Sequence, residues 1–393
     1  MAPKATGAVV STDAGPPKES LDSVKTTAGN IAVANLEGQI EGLTKLLDDP
    51  SRRAYALQGL VTLLTARAQF LGRVEDYDLA LTDAEALVSL QPKDPKAYLA
   101  RAHARSSLHL FKEAASDLDE ATRLGKKLTT EIDAQRAGIL QAMGRTGQAI
   151  EILQRQAAAQ PEILQLGSLG VALADQGKID EADGLLAKAE ASYFGGSPFP
   201  VAWTEFQRGQ LWERQGQPAK AIGYYRAAAD RLPEYAVAQA HLAGLLAAEG
   251  DRAKGIAILR EVTRAATDPE FVGQLSGLLE EVGQKDEASK AKAAATAGFE
   301  KLLAKHPAAF ADHAARFYLG PGANPKRALE LAKLNLQGRQ SPDAFDLGLT
   351  AALEAADGET ACAMARQATA AMPALPTPHL GFLVKRATES CPN

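Results

Sequence analysis

Aromatic residues make up only 5% of the 393-residue chain, which holds two tryptophans, two cysteines and four methionines. So few large rings argue against a wide sheet core, whereas the 46% apolar content, rich in alanine, suits helices packed close together. No apolar run is long enough to cross a bilayer, so no membrane span is expected. Residues 1–27 also lack the apolar centre of a signal peptide. Charge of one sign never gathers into a block: 43 Lys and Arg alternate with 48 Asp and Glu, leaving a net −5. Nucleic acid and anionic membrane surfaces call for a basic stripe, and there is none.

The residues of catalysis are missing as well. No two of the six histidines have the i, i+4 spacing with an intervening glutamate that zinc hydrolases use. Gly320-Pro321-Gly322 has neither the length nor the Lys-Ser/Thr ending of a phosphate loop, and no serine sits in a Gly-x-Ser-x-Gly elbow. His306, Asp312 and His313 lie close in sequence, but there they read as polar groups at a helix start rather than metal ligands. No catalytic residue, metal or cofactor is expected.

What the chain does have is a repeat. In Ile163 to Ala189, Leu166, Leu169, Gly170 and Leu173 line one face of a helix, Asp175-Gln176-Gly177 breaks it, and Ile179, Ala182, Leu186 and Ala189 line a second. One hairpin cannot cover so long an apolar stripe and needs neighbours. Small residues at the closest helix approach recur at Ala80, Ala114, Ala149, Ala182, Ala221, Gly255, Ala288, Ala328 and Ala361, with spacings of 33 to 40 residues. Turn glycines follow in register at Gly144, Gly177, Gly216, Gly250 and Gly283, and Pro92, Pro161 and Pro233 end second helices.

This pattern resembles the tetratricopeptide repeat, a helix hairpin of about 34 residues. The match is closest at Leu169, Gly170, Leu173, Gly177, Ala182, Leu186 and Ala189, and at Gly209, Trp212, Gly216, Ala221, Tyr225, Ala228 and Pro233. Arg208 departs from it, standing where an apolar residue is usual. The resemblance implies an all-α, right-handed α-solenoid of about nine hairpins with capping helices at both ends. Residues 1–27 read as a disordered arm and 28–60 as N-terminal capping helices. The array covers 61–305, with a loop insertion at 192–201, and 306–393 holds divergent hairpins and a capping helix. In the inserted loop, Tyr193 to Pro200 either offers a contact platform or folds its rings back on the next hairpin.

The resemblance further implies a non-enzymatic protein-protein interaction scaffold that holds a peptide, helix or partner domain in the concave groove lined by first helices. Family offsets place Leu164, Val171, Asp175, Trp203, Phe206, Gln210, Glu213, Arg214, Val237 and Gly244 there, with Trp203 and Phe206 as an aromatic anchor. The family's carboxylate clamp of Lys and Asn is absent, since its positions read Thr65 and Gln69, Leu99 and His103, Ala134 and Gly138, Gly167 and Val171. Two settings remain open. The small, polar, Pro-containing start suits a mature exported chain of a bacterial cell-envelope assembly (pilus, secretion or exopolysaccharide), periplasmic, with a lipid anchor where a signal sequence was removed. The alternative is a cytoplasmic peptide-sensing adaptor. Cys362 and Cys391 divide the same way, bridged across the C-terminal cap in the first and free thiols in the second.

Overall fold

In the computed structural model, which describes residues 24–125, 128–372, 374–389 and 391, one left-handed residue closes each helix hairpin. Among the described residues, the nine with positive φ are Gly72, His109, Gly144, Gly177, Gly216, Gly250, Gly283, Ala323 and Ala356. At all of these but Gly72 the next amide turns back onto a late carbonyl of the first helix, as Lys178 N donates to Leu173 O at 3.1 Å.

The first helices of the nine pairs are α2 (Arg53–Leu71), α4 (Pro95–Ser107), α6 (Thr129–Ala142), α8 (Ile163–Ala174), α10 (Phe199–Arg214), α12 (Ala236–Ala248), α14 (Pro269–Glu281), α16 (Pro307–Leu319) and α18 (Pro342–Glu354). Their second helices are α3 (Glu75–Leu90), α5 (Phe111–Leu124), α7 (Thr146–Ala159), α9 (Ile179–Ala191), α11 (Pro218–Arg231), α13 (Arg252–Ala265), α15 (Lys285–Lys305), α17 (Pro325–Gly338) and α19 (Gly358–Ala371). A single helix, α1 (Gly29–Lys45), covers one end of the stack, and α20 (Pro378–Thr388) covers the other. The alanines at the closest approach are all buried, and at Gly255 an added Cβ would lie 2.7 Å from the carbonyl oxygen of Ala243. The fold is an all-α solenoid, and no strand occurs among the described residues.

Three details differ from the sequence reading. Capping ends with α1 and a 3-10 turn at Leu46–Asp48, because the helix beginning at Arg53 already pairs with α3 as the first hairpin. Residues 1–23 of the arm lie outside the described residues, but the last part of it is held: Thr27 N donates to Gly196 O at 2.7 Å and an Arg231 amine to Val24 O at 2.9 Å. The inserted loop divides its rings, leaving Phe194 96% exposed while Phe199 opens α10 and packs 4.9 Å from the Phe70 ring.

The stack then coils back onto itself. The turn of the first hairpin meets the loop between the sixth and seventh, where Thr267 N and Asp268 N donate to Gly72 O at 2.9 and 3.1 Å. The second turn meets the next loop, with His109 Nδ1 3.1 Å from Ala308 O. The third meets the one after, with Gln340 N donating to Ala142 O at 2.9 Å, and the fourth sets Gly177 against Pro376. Asp78 on α3 closes the same seam with Lys305 at 2.7 Å and with His306, and Val74 and Leu108 share an apolar cluster with Phe310 and Phe317. Each of the first three hairpins thus rests on those five and six places later, and the fourth meets the segment after the ninth.

The seam supplies a test. Alanine at Gly144 or Gly216 must take up left-handed backbone, at about 1–2 kcal/mol. At Gly144 its Cβ would also lie 2.8 Å from Gln340 O, whereas at Gly216 nothing lies within 4 Å. Gly144→Ala should therefore cost at least about 1 kcal/mol more than Gly216→Ala in denaturant titrations. Equal costs would mean that the third turn is not packed.

Arg208 departs from the repeat because α9 supplies it with partners. It is 7% exposed, pairs with Asp183 at 2.8 Å and Glu190 at 3.1 Å, and its guanidinium lies 4.3 Å from the Tyr224 ring centroid. Burial pushes Glu190 up to about 7 against the pull of Arg208, and its Oε1 has no hydrogen-bond partner. A carboxyl raised above its ordinary 4.5 holds its proton better when folded. Its contribution to stability is complete below 4.5 and is lost as pH rises through about 7. From pH 5 to 8 the parent should lose about 1–3 kcal/mol more than Glu190→Gln. Parallel pH profiles would contradict the assignment.

Candidate binding chamber

Because the turns rest on later loops, the concave side of the solenoid is a chamber rather than an open groove. It has a volume of about 1440 Å³, and its wall comes chiefly from α2, α10, α12, α14, α16 and α18. Six of the ten residues expected in the groove line it: Phe206, Gln210, Glu213, Arg214, Val237 and Gly244.

Their roles differ from an open groove's. Phe206 is 6% exposed and packs its ring 5.3–5.5 Å from those of Tyr225, Tyr235 and His241, so it is core and not an anchor. Glu213 accepts from Tyr225 Oη at 2.5 Å and pairs with His241 Nδ1 at 2.9 Å. Burial alone would raise its carboxyl, but these partners outweigh burial and hold it below the ordinary range. Arg214 crosses the chamber to Asp343 at 2.5 Å and reaches Asp175 at 3.5 Å.

The other four are elsewhere. Leu164 is exposed on α8 outside the chamber, and Val171 packs against the apolar cluster of the third to fifth hairpins. Asp175 accepts from Gln141 Nε2 at 2.6 Å and serves the joint between neighbouring hairpins. Trp203 is half-buried with its ring laid over Gly167, where an added Cβ would lie 2.8 Å away. Local offsets place Leu164, Val171 and Trp203 on first helices and Asp175 at the end of one, but they carry no information about which helices the coil turns toward the chamber.

Sequence reading also missed a polar cluster on the far wall. Asp268 caps α14 by accepting from Glu270 N at 2.9 Å, and His313 of α16 sets its Nδ1 2.5 Å from Glu270. Donor atoms of Asp268, Glu270 and His313 all lie within 4.8 Å of one another. Burial would lower His313, but Asp312 and Glu270 on either side carry it up to about 10. Burial and then the neighbouring charge of Glu270 push Asp268 up to about 6. Asp312 is held well down despite its burial, by His313 and by Arg339 at 2.6 Å. Asp268 and His313 are 45 positions apart, so no local motif could have joined them. His306, grouped with Asp312 and His313 in sequence, instead faces Asp78 at the seam.

Between these clusters stand three glutamines, Gln69, Gln207 and Gln210, whose side-chain amides make no hydrogen bond among the described residues. The chamber can therefore present neutral donors and acceptors between fixed charges. At the C-terminal end, Cys362 and Cys391 are joined by a disulfide with Cα atoms 5.3 Å apart, tying the end of the chain beyond α20 to α19. No described helix is long and apolar enough to cross a membrane.

Stacked antiparallel hairpins with first helices facing a common interior define an α-solenoid. Within that architecture, residues 214–279 match the family described as tetratricopeptide repeat. Among solved structures it is similar to the APC/C hetero-tetramer Cut9–Hcn1, at 14% identity and a TM-score of 0.48 over 86% of this chain. The match covers 63% of that chain, so the present chain spans less than two thirds of its length. The human IFIT1 dimer with PPP-AAAA is similar at 16% identity and a TM-score of 0.49, over 84% of this chain and 76% of that one. Comparison with the curated proteins gave no match.

Proposed function

We propose that the chain is a non-enzymatic scaffold that takes an extended segment of a partner protein into its chamber. The observation that carries this reading is the glutamine-lined wall. An extended peptide has a donor and an acceptor at every residue, and side-chain amides without other partners can satisfy both. Arg316 and Lys292 also line the chamber with no ion-pair partner among the described residues, and they suit carboxylates on the incoming segment.

The disulfide supports an oxidising compartment such as the bacterial cell envelope, in an assembly handling pili, secretion or exopolysaccharide. Protein from its native source, unfolded without reductant, should then show no free thiol at Cys362 or Cys391. Two titratable thiols would remove the support for export.

The binding reading is tested by placing p-benzoylphenylalanine at Gln210 in the chamber and at Arg226, exposed on the outer helix α11. Irradiation in the native source should give a partner adduct from Gln210 and none from Arg226. Adducts from Arg226 alone would move binding to the outer face.

A further inference from the structure

We infer that Asp268, Glu270 and His313 form a binding site for a divalent transition-metal cation, of the Zn²⁺ or Mn²⁺ kind, on the chamber wall. Three different side chains meet there from two successive hairpins, with donor atoms all within 4.8 Å of one another. One imidazole nitrogen with two carboxylates is a donor set that suits these ions, whereas calcium and magnesium prefer oxygen alone and no thiolate is present to select copper(I).

The charges support the same conclusion. His313 is the ion-pair partner of Glu270, and Asp268 has none among the described residues. Asp312 does not compete for this role, because Arg339 already pairs with it at 2.6 Å. One imidazolium pairs directly with Glu270 beside Asp268, while Arg316 and His241 act on Glu270 from beyond ion-pair distance, and a divalent cation in place of the imidazole proton would bind both carboxylates.

The surroundings are those of a ligand set. Asp312 faces the second ring nitrogen of His313 at 3.8 Å, on the side away from Glu270. At that distance it makes no hydrogen bond to the ring, but its negative charge strengthens the imidazole as a ligand. Asp268 is fixed too, because one of its oxygens caps α14 through Glu270 N at 2.9 Å, leaving the other for a ligand. The chamber on the open side has room for water to complete the coordination. A cation about 2.1 Å from each donor sets the donors about 3.4 Å apart, so Glu270 and His313 would part from their present contact and the more distant donor would draw in.

The test uses the untagged full chain, stripped with a chelator and titrated with Zn²⁺ and with Mn²⁺ against a chromophoric competitor. One equivalent of at least one of these ions should bind at micromolar affinity or tighter. Asp268→Asn keeps the capping acceptor and His313→Gln keeps a polar group on α16, so circular dichroism should be unchanged in both. Each should weaken binding at least tenfold. Asp346→Asn, which alters the two-residue Asp346–His379 pair on the same wall, should leave it unchanged. Absence of stoichiometric binding of both ions by the parent chain would overturn the site. So would binding that survives both Asp268→Asn and His313→Gln.

Discussion

Trp212→Ala should lower stability by about 3–5 kcal/mol, the usual loss when a large aromatic side chain is removed from a core. Trp212 is 8% exposed, fills the apolar cluster between the fifth and sixth hairpins, and carries the Lys220 ammonium 3.7 Å from its ring centroid. Its neighbours belong to two helices already at their closest approach, so they can collapse little into the space. In a repeat array the damage does not stay local, because each hairpin is stabilised through its interfaces with others. Trp203→Ala is the comparison. Its ring is half-buried over Gly167, so the loss should be smaller, about 1–2 kcal/mol. Denaturant titration of both variants checks this. Equal losses, or a loss below 1 kcal/mol at Trp212, would mean that the hairpin core is misassigned.

Glu205→Ala should have an effect of similar size for a different reason. Glu205 is 1% exposed on α10 and receives Arg231 through contacts of 3.0, 3.0 and 2.7 Å. Taking away one member of a buried pair removes its hydrogen bonds and its share of the charge compensation, at about 3–5 kcal/mol. Arg231 also holds Val24, so the segment from Val24 to Thr27 should loosen with it. Glu205→Gln keeps an acceptor and should lose less. Thermal melts with hydrogen exchange near residue 27 measure both effects. A Glu205→Ala variant as stable as Glu205→Gln would show that the charge is not compensated as described.

These two sites also show what the sequence discloses. The hairpins were legible because their signals are local: Ala182 and Ala221 mark the closest approach, and Gly177 and Gly216 the turns. His109, Ala323 and Ala356 fill the same left-handed position but carry no such mark, since only packing around them makes that backbone acceptable. Arg208 was visible as a departure and its cause was not, because Asp183 and Glu190 lie on the preceding hairpin.

The coil itself was the least legible feature. Asp78 and Lys305 are ordinary surface residues in their own helices, and nothing in either segment announces a partner 227 positions away. For the same reason the groove offsets reached Gln210 and Gly244 but misjudged Phe206 and Asp175. Repeat position says which helix face is inward, while the superhelical pitch decides whether inward means partner, core or seam.

Closure of the coil is the central claim, and zero-length carbodiimide coupling tests it most directly. Lys305 Nζ lies 2.7 Å from Asp78 across the seam, and Lys333 Nζ lies 3.5 Å from Asp357 between neighbouring hairpins as an internal control. Mass spectrometry of the coupled monomer should find both the Asp78–Lys305 and the Asp357–Lys333 links. The control link without the seam link would contradict closure and return the concave face to an open groove.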